Sequence, residues 1–161
     1  MKKIFFLIFI VAVLFLAGKV LFSNRGNETL APKNLKKEKI VHKNIGIGDS
    51  IVRAEIALSE EEKKKGLSGK ESLAEAAGML FVFDKSGFYP FWMKEMNFSI
   101  DIVWIGDNWE IIGVAENLNP DSYPQTFSPS QPVWLVLEVN AGWVKRHNIK
   151  TGMTVKVLNS E

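Results

Sequence analysis

The sequence predicts a mostly β fold: a compact β-sandwich or flattened barrel with one or two short helices, preceded by an N-terminal transmembrane helix. Three observations carry this expectation. Short apolar runs with strand-like composition recur from Ile51 to Leu158. Turn-forming residues separate them, among them Gly106-Asp107-Asn108-Trp109 and the four prolines between Asn119 and Pro132. Ahead of all this, Ile4 to Ala17 is unbroken apolar sequence behind Lys2-Lys3.

At 161 residues the chain has room for one ordinary domain and an appendage, which excludes a two-domain dinucleotide or barrel enzyme. With no cysteine it lacks disulfides, thiolate metal sites, thiol nucleophiles and lipid-bearing cysteines. The overall charge of +2 divides sharply by position. Residues 1–44 carry nine Lys/Arg against two Glu, a net of +7, and residues 45–161 carry eleven basic against sixteen acidic groups, a net of −5. An acidic domain on a basic stalk is a poor match for nucleic acid, which favours positive charge on the folded surface.

The leader comes first. Ile4–Ala17 is too short to cross a bilayer, at about 21 Å as a helix, but its continuation through Lys19 to Phe22 brings it to about 28 Å. Lys19 lies near one end and can snorkel to the headgroups. A signal peptidase wants small residues three apart, and both available pairs, Leu16/Gly18 and Leu21/Ser23, begin with leucine. Residues 1–22 are therefore expected to remain as a signal anchor. Arg25, Lys33, Lys36, Lys37 and Lys39 outweigh Lys2 and Lys3, which argues for a cytoplasmic domain. A short charged head followed at once by an apolar run is how exported chains begin, and an extracytoplasmic domain is the expectation adopted. Residues 23–44, polar and Lys-rich, read as a flexible linker.

The domain, residues 45–161, opens with alternation from Ile51 to Leu58, a half-buried strand. Ser59-Glu60-Glu61-Glu62 is a capping box, Lys63 to Lys65 suit the last turn, and Gly66 ends a short helix. Gly78 to Phe83 is a strand closed by Asp84-Lys85-Ser86-Gly87 as a turn. Phe98–Ile105 and Glu110–Glu116 make a hairpin about Gly106 to Trp109. Asn119 to Pro132 is a loop stiffened by its prolines. Pro132 to Val139 is a strand, Ala141 to Asn148 a short helix and Thr154 to Leu158 a closing strand.

Four stretches together resemble the DUF192 family over roughly residues 51–158: Gly66-Leu67, Gly78-Met79-Leu80-Phe81, Phe91-Trp92-Met93-Lys94 with Ile100-Asp101-Ile102, and Leu137-Glu138 with Ala141-Gly142. The resemblance implies a compact β-rich fold, often behind an export signal, and supplies no activity, cofactor or catalytic residue. The family pattern continues Lys-Asn-Thr where this chain has Lys94-Glu95-Met96.

Chemistry is sparse. Neither His42 nor His147 is followed by a second ligand at i+3 or i+4, so neither a metal nor another cofactor is expected. No phosphate loop, nucleophile elbow or Ser/His/acid arrangement is present. What stands out is charge within apolar strands. Asp101 shares a face with Val103 and Ile105, and Glu138 one with Trp134 and Val136. Such carboxylates are costly unless paired, so Lys94 is expected to pair with Asp101 or Glu138. Aromatics are the second signal. Trp92, Trp109, Tyr123 and Phe127 fall in or beside loops, where they suit a sugar face or a peptide as well as simple packing.

The function expected is a membrane-tethered extracytoplasmic domain binding a small ligand, a glycan or an envelope protein. Its candidate ligand-binding residues are Trp92, Lys94, Asp101, Trp109, Tyr123, Phe127 and Glu138. The alternatives are a small hydrolase or isomerase using Asp101 and Glu138 as acid and base, and a structural accessory of a membrane complex marked by an exposed apolar patch.

Overall fold

The computed structural model describes residues 40–158. The expected membrane helix (residues 1–22) and most of the linker lie outside the described residues, among which no helix is long and apolar enough to cross a membrane.

Among the described residues, nine strands and two short α-helices follow in the order β1 (His42–Ile47), β2 (Ser50–Ala57), α1 (Glu60–Lys65), β3 (Ala77–Gly87), β4 (Phe91–Trp92), β5 (Ile100–Ile105), β6 (Ile111–Leu118), β7 (Thr126–Phe127), β8 (Val133–Asn140), α2 (Trp143–Arg146) and β9 (Val155–Leu158). Seven of the strands form one sheet in the order β6-β5-β8-β3-β2-β1-β9, and β4 pairs with β7 separately. All neighbours in the large sheet are antiparallel except β2 and β3, whose parallel pairing requires the crossover that contains α1.

The sheet curls until its two edges touch. Glu110 bridges Thr154, the Ile111 N–H donates to the Met153 carbonyl, and the Val155 N–H donates to that of Trp109. The result is a curled half-barrel: of the two forms expected, a sandwich of facing sheets gives way to the flattened barrel, a single sheet wrapped on itself. Inside the curl lies a core with residues from all seven strands, including Ile45, Val52, Leu80, Val103, Ile111, Leu137 and Val155, with Trp143 and Val144 of α2. A second core covers the outer face, where Met79, Phe81, Ile102 and Val136 pack against Leu67 and Met93. Strand β5, whose six residues are all buried, runs between the two cores.

Local chemistry accounts for the elements. In α1, Ser59 Oγ accepts the Glu62 N–H, and the Glu62 carboxylate accepts the N–H groups of Ser59 and Leu58. These backbone donors hold the Glu62 carboxyl below its ordinary range. Three expectations need correction. The stretch Asp84 to Gly87 continues β3 with a register shift instead of turning. The 119–132 loop contains β7, whose pairing with Phe91-Trp92 ties it to the outer face. β1 starts at His42 because Ile45 and Ile47 alternate into the inner core beside Val52, so the last residues of the basic stretch are strand.

Gly78 stands where neighbouring strands come too close for a side chain. A Cβ there stands 2.7 Å from the Glu138 carbonyl oxygen and 2.8 Å from Val52 Cγ1. Gly78→Ala is expected to cost about 1–3 kcal/mol, read in thermal denaturation as a fall of roughly 5–10 °C.

Candidate functional site

A cleft of about 350 Å³ opens on the outer face of the sheet. Its location follows from register. Glu138 of β8 lies opposite Ile102 of β5 and Met79 of β3, residues of the outer core, so its side chain points to the outer face. Strand β3 contributes Phe81 and Phe83, and the chain beyond it Tyr89, Phe91 and Trp92. Helix α1 and its C-terminal turn supply Glu60, Lys63 to Lys65 and Gly66.

The walls are fixed by aromatic contacts. Phe81 meets Phe91 edge to face at 5.0 Å, and Phe83 stacks on Tyr89 at 3.6 Å. The Tyr89 hydroxyl donates to the Lys85 carbonyl. Lys63 sits over the Phe83 ring and pairs with Glu60 at 2.9 Å. The turn after α1 is laced to the segment after β4. Ser68 Oγ donates to the Lys94 carbonyl, the Gly69 N–H to that of Glu95, and Asn97 Nδ2 to that of Lys70. Gly66, at φ +50°, leaves room for the Phe81 ring, 3.3 Å from where a Cβ would stand.

Glu138 is the exceptional member. It is 5% exposed, and its Oε2 has no hydrogen-bond partner. Burial without a partner pushes its carboxyl up to about 8, so at neutral pH the group is mostly the protonated acid. Trp104 shares the outer face, and its Nε1–H is the other partnerless buried side-chain atom among the described residues.

Asp101 has the opposite character. Across from Val139 and one residue out of phase with Ile102, it points into the inner core and is fully buried. Its oxygens accept N–H groups from Asn117 at 2.8 Å, Gly142 at 3.1 Å and Val144 at 2.9 Å. It is an anchor joining β6 and the start of α2 to β5. Asp101 and Glu138 therefore face opposite sides of the sheet, and an acid/base pair formed from them has no shared cavity.

The expected ion pair is also corrected. Lys94 reaches neither carboxylate; its Nζ lies 3.7 Å from Glu95 at the surface. Trp109 packs edge to face on Trp134 at 5.6 Å, against the inner core. Phe127 packs on the outer core, and Tyr123 is exposed. Of the seven candidates, only Trp92 and Glu138 line the cleft. Phe83, which also lines it, carries no functional signal in sequence; Tyr89 falls in the 88–97 stretch expected at a binding rim, and Lys63 to Lys65 read as helix-dipole chemistry first and a binding patch second. No group of His, Asp and Glu able to hold a metal converges among the described residues.

The stretches that carried the resemblance are now together in space. Gly66, Phe81, Phe91-Trp92 and Glu138 line the cleft, while Asp101 and Gly142 form the anchor behind it. The family model DUF192, described as "Uncharacterized ACR", matches residues 41–157. The chain belongs to the DUF192 family. No curated protein matches it. Among solved structures, this DUF192 domain is similar to a Sinorhizobium meliloti protein described as a candidate transcription regulator. The two share 26% identity over 74% of this chain and 95% of that one, with a TM-score of 0.70. A Novosphingobium aromaticivorans protein of unknown function gives 26% identity, 78% and 91% coverage and a TM-score of 0.68.

Proposed function

We propose that this DUF192 domain is held at the membrane by its apolar leader, on the extracytoplasmic side, and binds a small ligand or the end of a glycan in the outer-face cleft. One observation carries the binding reading: Glu138 is nine-tenths buried and lacks a partner on the wall of an aromatic cleft. A carboxyl in such a place weakens the fold unless something else uses it. The cleft volume suits a small molecule better than a protein surface. Tethering is supported by the apolar run from Ile4 to Phe22. The name of the Sinorhizobium neighbour suggests DNA, but an acidic domain does not favour it.

Trp92 is 43% exposed and lines the cleft, so it can be removed without opening a core. Trp92→Ala is expected to weaken ligand binding by about tenfold or more while melting within a few degrees of the wild type. A thermal-shift screen of the full chain against metabolites and oligosaccharides, repeated on the variant, reads both. Hits that ignore the substitution place the ligand elsewhere. For the tether, alkaline washing of membranes should leave the full chain in the pellet, whereas an intact soluble product argues against it.

A further inference from the structure

The cleft is polarised along its depth. At the mouth, Lys64, Lys65 and Lys85 have no carboxylate within 4 Å among the described residues, whereas Lys63 is taken by Glu60. Four lysines and two carboxylates, Glu60 and Asp84, surround an entrance whose walls are aromatic. Deeper in, Glu138 adds a buried oxygen that nothing in the chain satisfies. Cations are thus opposed by the mouth, flat apolar bodies are favoured by the walls, and a hydrogen-bond acceptor is wanted at the floor.

Resting on the ligand-binding reading above, we propose that the cleft takes an anionic small molecule with a flat ring. The ring inserts between the aromatic walls, its charge stays at Lys64, Lys65 and Lys85, and an acceptor oxygen at its far end meets the Glu138 carboxyl group. Glu138 donates this hydrogen bond, and the proton stays on it throughout. Ionisation of Glu138 removes the donor and adds a like charge, so binding weakens as pH rises through about 8. The ionisable groups that face Glu138 are few. Helix α1 brings Glu60 and Lys63 to Lys65, β3 and the chain after it bring Asp84, Lys85 and Tyr89, and β5 presents only Ile102 and Trp104.

Three probes with one body separate the possibilities: 4-methoxybenzoate, 4-methoxybenzyl alcohol and 4-methoxybenzylamine, whose methoxy oxygen can only accept. Their binding to the full chain is measured by Trp fluorescence and calorimetry. The benzoate is expected to bind tightest, with an affinity flat between about pH 6 and 7 and falling about tenfold per unit above 8. Glu138→Gln, which keeps a donor that does not titrate, should bind the benzoate within about threefold at pH 7 and lose the pH slope. Lys64→Glu with Lys65→Glu should weaken the benzoate about tenfold or more and favour the amine. If the amine binds best, or affinity rises with pH, the anion assignment is overturned while the cleft stands as a binding site. If none of the three binds at millimolar concentration, both readings fail together.

Discussion

Replacing Asp101 with alanine is expected to lower the melting temperature by about 10–20 °C, or to leave the chain unfolded. The substitution strips the acceptor from three N–H groups at once, the buried one of Val144 and the part-buried ones of Asn117 and Gly142. Each orphaned donor costs roughly 1–3 kcal/mol, and partial relaxation leaves about 3–5 kcal/mol in all. Asp101→Asn is expected to fall between the two proteins. Its oxygen can still serve Asn117 and Gly142, but its amide nitrogen then faces the Val144 N–H as donor against donor. Thermal denaturation should rank the three as wild type, Asn, Ala. Under conditions where the Asn variant is folded, its ligand affinity should equal the wild-type value, because the anchor lies on the far side of the sheet from the cleft. A large selective loss of binding would return Asp101 to the site.

Glu138→Gln is expected to do the reverse, raising stability in a manner that depends on pH. The folded carboxyl titrates near 8 and its unfolded counterpart near 4.5, so between these values the folded state holds more protons. Wild-type stability is thus unimpaired below about pH 4.5, drains away as pH rises through the interval, and levels off above about 8. At about 1.4 kcal/mol per unit the total approaches 3–5 kcal/mol, the upper end applying if no water reaches the ionised group. The glutamine variant has no such loss. Its melting temperature should match the wild type near pH 5 and exceed it by about 10 °C or more at pH 8.5. Glu138→Leu should be stable too, yet it has no donor and should bind ligand poorly. That separation of stability from binding is what a residue kept for function looks like. Equal melting of wild type and Gln variant across the pH range would remove Glu138 from the account.

The parts of the fold legible in sequence are those settled by neighbouring residues. Ser59 and Glu62 meet in the capping box because it needs only four residues, and Gly106 to Trp109 link β5 and β6 as their turn residues suggest. β1 was less visible. Ile45 and Ile47 alternate, but Asn44 before them and Gly46 between them resemble loop, and only pairing with β2 and β9 makes them strand. Asp84 to Gly87 reads as a turn by composition, yet the partnership of Gly87 with Val133 keeps it in the sheet. Asp101 and Glu138 show the limit at the site itself. Their oddity among apolar neighbours is plain in sequence, but the sides they face depend on the pairing of Ile102 with Glu138. A register one residue different would have put both carboxyls on one face. The aromatic walls were equally hidden, since Phe83, Tyr89 and Phe91 converge only when the segment after β3 folds back to pair with β7.

The most direct measurement is carbon NMR of the Glu138 side-chain carboxyl, assigned with Glu138→Gln and followed from about pH 4 to 10. With the cleft free, the midpoint expected is near 8, moving higher when a ring-bearing anion is bound. A midpoint near 4.5, unmoved by any such ligand, contradicts a protonated floor and the binding site built on it.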